Sequence, residues 1–188
     1  MIHNHKPLRA SGHLDRRQFI RAVAVSACAS VAAAYGAPPD RRSLSFAHTH
    51  TGETLSTVYF QDGSYLAPSL EHVNHFLRDF RTNEVHSIDP GVLDILFDMQ
   101  AEAHHAGPFE VISGYRSAQT NAALRSQSSA VAEHSLHMEG RAIDVRLTEV
   151  NCADLADKAL GMKRGGVGYY RQSDFVHLDT GRVRTWRG

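Results

Sequence analysis

The chain of 188 residues contains only two cysteines, Cys28 and Cys152, too few for the disulfide framework that holds many small secreted domains together. It has no net charge: 20 basic residues balance 20 acidic ones, with histidine counted as neutral. That removes any global reason to expect nucleic acid as a partner. No apolar run approaches the roughly 20 residues needed to span a bilayer. Neither a Gly-x-Ser-x-Gly elbow nor any motif around Cys152 is present, which argues against a serine or cysteine hydrolase. Repeats, charge blocks and low-complexity linkers are also missing. Stability must therefore come from one ordinary core, for which 42% hydrophobic residues suffice, helped by a metal if the histidines are suitably spaced.

There are 13 histidines, and histidine is the commonest metal ligand. Those near the N-terminus flank a different signal. Arg16-Arg17-Gln18-Phe19-Ile20 precedes a short, serine-interrupted apolar run over residues 22–34 and then small residues at 34–37. This resembles a twin-arginine export signal, cleaved near Ala37. It predicts residues 1–37 as leader, recognised by the twin-arginine export machinery, and residues 38–188 as a single domain in the periplasm or cell envelope. Val25-Ser26-Ala27-Cys28 also resembles a lipoprotein box, and lipid on Cys28 is the one route by which this chain would be held to a membrane.

Beyond the leader, β-leaning patterns at 43–50 and 54–60 end at the turn signal Asp62-Gly63. Leu70, Val73, Phe76, Leu77 and Phe80 recur at helical spacing over 69–80. Asp89-Pro90 opens a second helix, with Asp as N-cap and Pro in the first turn, and Gly107-Pro108 closes it. A strand at 110–112, a helix capped by Ser117, a strand at 141–147, a helix at 152–160 and strands at 167–170 and 174–179 follow. Helices mostly early and strands mostly late predict an α+β fold with a small antiparallel sheet flanked by helices.

In the strand at 141–147, alternation puts Ile143, Val145 and Leu147 on one face and Ala142, Asp144 and Arg146 on the other. The last strand repeats the arrangement, with Val176 and Leu178 turned one way and Phe175, His177 and Asp179 the other. Two neighbouring strands can thus bring Asp144 and His177 to a shared face, and the loop before the first adds His137. Three such ligands with a fourth position open to water make the pattern of catalytic zinc, whereas structural zinc is usually closed by four ligands, often cysteines.

Ser135-Leu136-His137-Met138-Glu139-Gly140-Arg141-Ala142-Ile143-Asp144 resembles the Ser-x-His-x-x-Gly-x-Ala-x-Asp signature of zinc D-alanyl-D-alanine peptidases, whose fold is shared with hedgehog. Ser113-Gly114-Tyr115-Arg116-Ser117 is similar to the arginine motif of the group, and Asp174-Phe175-Val176-His177 to its acid-x-x-His motif. Arg78-Asp79-Phe80-Arg81 and the Gly165–Tyr170 run resemble a murein endopeptidase branch with twin-arginine leaders. The resemblance implies one Zn2+ held by His137, Asp144 and His177, with Asp174 as general base and Arg116 stabilising the oxyanion or a substrate carboxylate. It also implies contacts from Ser135 and Tyr115 to substrate, and a metallopeptidase acting on peptidoglycan peptides. Asp179, on the face of His177, is the rival base. His134 matches no ligand position. The alternative function is a noncatalytic, zinc-stabilised wall-binding domain.

Overall fold

The computed structural model describes Met1, residues 40–128 and residues 131–188. The leader and Cys28 lie outside the described residues. Residues 40–188 form one compact unit.

Eight strands make one sheet in the order β3-β2-β1-β4-β5-β7-β6-β8. They are β1 (Arg41–His48), β2 (Thr54–Gln61), β3 (Ser64–Tyr65), β4 (Phe109–Ser113), β5 (Ala142–Leu147), β6 (Gly166–Tyr170), β7 (Phe175–Asp179) and β8 (Arg184–Arg187). Among the described residues four helices accompany them: α1 (Ala67–Phe76), α2 (Pro90–Ala103), α3 (Ala118–Gln127) and α4 (Cys152–Met162). The α+β expectation stands, but the sheet is larger than expected and mixed. β1–β4 and β6–β8 are parallel pairs and the other pairings are antiparallel.

The apolar faces of the strands meet α2 and α4. Helix α2 lies against β1 and β7, and α4 against β5, β6 and β7. Ile143, Val145 and Leu147 of β5 and Val176 and Leu178 of β7 are fully buried there with Leu93, Leu96 and Met99 of α2 and Leu155 of α4. Each such side chain contributes about 2 kcal/mol through removal from water. Because side chains alternate along a strand, anchoring these residues turns Asp144 and His177 to the opposite face.

Local chemistry sets most ends as expected. The Asp89 carboxylate accepts from the Gly91 amide at the start of α2, and Ser117 Oγ accepts from the Thr120 amide at the start of α3. Two ends differ. Helix α1 stops at Phe76 although the apolar spacing runs to Phe80. The Asp79 carbonyl there accepts from Asn83, whose φ of 60° reverses the chain. Helix α2 stops at Ala103, before Gly107-Pro108, because His104 adopts the left-handed conformation at its C-terminus.

Candidate active site

His137 lies in a 3-10 turn, Leu136–Glu139, closed by Gly140 at φ 66°. A side chain on Gly140 would also meet the Ser87 carbonyl at 2.1 Å, so glycine is required on two counts. The turn is clasped by the arginine motif. His137 Nδ1 donates to the Gly114 carbonyl at 2.7 Å, and the Arg116 amide donates to the His137 carbonyl at 3.1 Å. A carbonyl only accepts, so the Nδ1 proton is fixed and the lone pair of Nε2 faces inward.

Asp144 and His177 are directly opposed partners on β5 and β7. His177 Nε2 donates to the buried Asp179 carboxylate at 3.1 Å, and Asp179 is itself gripped by Arg184 at 2.9 and 2.7 Å. Nδ1 of His177 is thereby aimed at the cluster. The three inward atoms form a triangle. His177 Nδ1 lies 2.8 Å from Asp144 Oδ1 and 3.1 Å from His137 Nε2, and His137 Nε2 lies 3.3 Å from Asp144 Oδ1. A tetrahedral zinc ion with ligands near 2.1 Å separates its donors by about 3.3 Å, so the triangle fits such an ion with little adjustment. All three residues are buried.

Electrostatics follow from that enclosure. Burial drives His137 below its ordinary value. Burial works the same way on His177, but hydrogen bonds to Asp144 and Asp179 overcome it and raise the imidazole to about 9. For Asp144 burial favours the neutral acid, yet His137 and His177 hold the carboxyl far below the usual range. Without metal, the cluster is thus a negative carboxylate between two rings, one of them cationic.

The triangle lies in an open cavity of about 540 Å³. Arg116 lines it with a side chain only 13% exposed, its Nη2 3.9 Å from Asp144 Oδ2. The buried Nε–H of Arg116 has no acceptor. Burial lowers its pKa, but a guanidinium remains cationic at any physiological pH. Ser135 lines the cavity.

Two expected residues are not brought to the triangle. Tyr115 is 7% exposed in the core, stacks on His86 and donates its hydroxyl to Glu84 at 2.7 Å, away from the cavity. Asp174 stands in the turn before β7 at φ 50°. Its carboxylate is 67% exposed and 3.9 Å from Arg146 Nε. Its neighbours Ser173 and Phe175 line the cavity, whereas Asp174 does not. Asp174 precedes β7 and leaves the extended conformation, so strand alternation governs Phe175, which shares the face of His177, and does not reach Asp174. Asp179 does share that face, but is 1% exposed and fully engaged by His177 and Arg184.

Sequence reasoning missed the wall built by β8. Trp186 lies 5.1 Å from the His177 ring and donates to the Tyr170 hydroxyl, while Tyr170 stacks on Phe175. Trp186 can cross β6 only because residue 168 is glycine; a Cβ there would meet the indole at 2.5 Å. The Gly-Val-Gly spacing before Tyr169 was the available signal.

A buried His–Asp–His triangle with oriented outer partners, opening on a cavity beside a buried arginine, is a centre that could hold a metal ion. The comparisons place the chain among peptidases. Residues 36–186 match the family model described as peptidoglycan L,D-endopeptidase MepK, and the chain belongs to that peptidase family. It is 42% identical over 148 residues to the peptidoglycan L,D-endopeptidase MepK of Escherichia coli strain K12, covering 79% of this chain and 81% of the relative. It is 41% identical over 151 residues to the probable peptidoglycan L,D-endopeptidase MepK of Haemophilus influenzae, covering 80% and 81%. No solved structure gives a significant match.

Proposed function

We propose that the protein is a zinc-dependent L,D-endopeptidase that hydrolyses peptide crosslinks of peptidoglycan. The observation carrying this reading is the His137–Asp144–His177 triangle on the wall of an open cavity, with Arg116 beside it. The relatives' names supply the substrate. Bound to the three ligands, zinc would polarise the scissile carbonyl and make water a stronger acid. Arg116 would hold the negative charge that develops on the carbonyl oxygen. The twin-arginine leader is proposed to deliver the chain to the periplasm, where that substrate lies; no helix among the described residues is long and apolar enough to cross a membrane.

The three-residue spacing to His177 offers Asp174 as general base. To serve, its carboxylate must leave Arg146 and swing over the rim at Ser173 toward the attacking water. The outward placement of Asp174 favours a second reading, a zinc-stabilised domain that binds the wall without cutting it.

One experiment separates the two readings and tests the role of Asp174. Mature protein, recovered from the periplasm and weighed to establish cleavage near Ala37 or lipidation at Cys28, is loaded with zinc and incubated with sacculi. Soluble muropeptides are then separated. Release of peptides cut at an L,D bond, abolished by His177→Ala, is the expected result. Asp174→Asn is expected to keep zinc and lose at least about 100-fold in rate; undiminished turnover removes Asp174 as the base. Zinc-loaded protein that binds sacculi and releases nothing supports the binding-domain reading.

A further inference from the structure

The cavity is lopsided in charge. Its lining includes Arg81, Arg116, Arg184, His50 and His134, and its only carboxylate among the described residues is Asp144, already held between two histidines. Arg184 is neutralised by Asp179. Arg81 and Arg116 are not neutralised in this way. Arg116 has Asp144 no nearer than 3.9 Å and a buried Nε–H without an acceptor. The Arg81 guanidinium has no carboxylate partner among the described residues; its carbon lies 4.1 Å from the centre of the Phe80 ring. His50 stacks on that ring at 4.3 Å, with 11° between planes. Phe80 thus packs against both side chains, and its ring is a platform for the Arg81 guanidinium.

The main chain fixes the platform relative to Arg116. The Arg81 amide donates to Asp79 Oδ1 at 2.9 Å, and Asp79 Oδ2 accepts from the amide and hydroxyl of Ser117, the residue after Arg116. One buried carboxylate therefore ties both arginines to a common frame. The sheet order sets direction. His50 follows β1, the triangle lies on β5 and β7, and Tyr170 and Trp186 belong to β6 and β8. A chain lying across the strands would meet cationic groups on one side of the triangle and an aromatic wall on the other.

We propose that Arg81, beside Arg116 on the β1 side of the triangle, forms a carboxylate subsite that selects peptides with a free carboxylate there over carboxamides. Arg81 is then a specificity-determining residue. The proposal rests on the peptidase reading for the class of ligand, but its test is separable from turnover. Matched stem peptides differing only in one carboxyl or carboxamide are titrated calorimetrically into the full zinc-loaded chain, and their hydrolysis is followed in parallel. Wild type is expected to bind the acid about tenfold tighter than the amide, the scale of one charge-assisted hydrogen bond. Arg81→Gln should erase most of that preference, and Arg81→Lys should restore part of it because the charge returns without the fork. Arg81 is exposed, so its variants should fold; near-ultraviolet dichroism checks this. Equal affinities in wild type, binding of neither peptide, or an Arg81→Gln loss equal for acid and amide would overturn the subsite. Preferential binding of the acid without hydrolysis would defeat the peptidase reading and leave the subsite standing.

Discussion

Asp179 does for His177 what the Gly114 carbonyl does for His137: each fixes the proton on one ring nitrogen and leaves the other free for metal. The two devices differ in cost. A main-chain carbonyl comes with the fold, whereas a buried carboxylate needs its own cation and amides, which Arg184, Gly166 and Gly181 provide. Such outer partners typically carry a 10–100-fold share of metal affinity. Asp179→Asn keeps the shape and removes the charge, so its zinc affinity is expected to fall by roughly that factor. Competition against a chromophoric chelator measures it. Affinity equal to wild type would reduce Asp179 to an anchor for the turn after β7.

Among the connecting elements, the loop between α1 and α2 acts on the site through Asp79. Burial raises this carboxyl, but hydrogen bonds from Thr120, Ser117 and Arg81 outweigh it and bring the value to about 2, from an ordinary 3.8. A depressed value stabilises the fold above the unfolded-state pKa, and the contribution is lost as pH falls through 3.8 toward 2. A shift of that size corresponds to about 2 kcal/mol. Urea unfolding at pH 5 and at pH 2 should therefore show wild type losing about 2 kcal/mol more than Asp79→Asn between the two. Equal losses would place the acid sensitivity elsewhere. Sequence reading placed Asp79 in a motif but gave it no role, because its partners lie 38 residues away on another element. By contrast, the triangle was legible because a period of two and an apolar face determine where Asp144 and His177 point. Asp174 lies outside β7, so that period does not reach it, and its outward placement belongs to the turn at φ 50°. The β8 wall was not legible within its own four polar residues, which pair in parallel with β6; its one trace lay in the glycine spacing of β6. Tyr115 shows the remaining limit. Its neighbour Arg116 enters the cavity, and only packing reveals that the tyrosine goes to the core.

For the whole molecule, the question is whether metal holds the fold or the fold holds the metal. Small zinc domains unfold without their ion because no core remains. Here Leu44, Phe46, Phe109, Ile143, Val145 and Leu178 are 2% exposed or less in one continuous core on the far side of the sheet from the triangle. The ligands also satisfy one another: the Asp144 carboxylate sits against a His177 ring raised to about 9, with Asp179 and Arg184 completing an alternating row of charges. The chelated protein is therefore expected to stay folded and to melt in one cooperative step. Free zinc at 1,000 times its dissociation constant adds about 4 kcal/mol of stability, which for a domain of this size raises Tm by roughly 10 °C. Calorimetry with zinc and after exhaustive chelation reads the difference. A chelated sample with no cooperative transition would show that the ion builds the sheet, and the outer hydrogen bonds to His137 and His177 would then be consequences of binding and not its preparation.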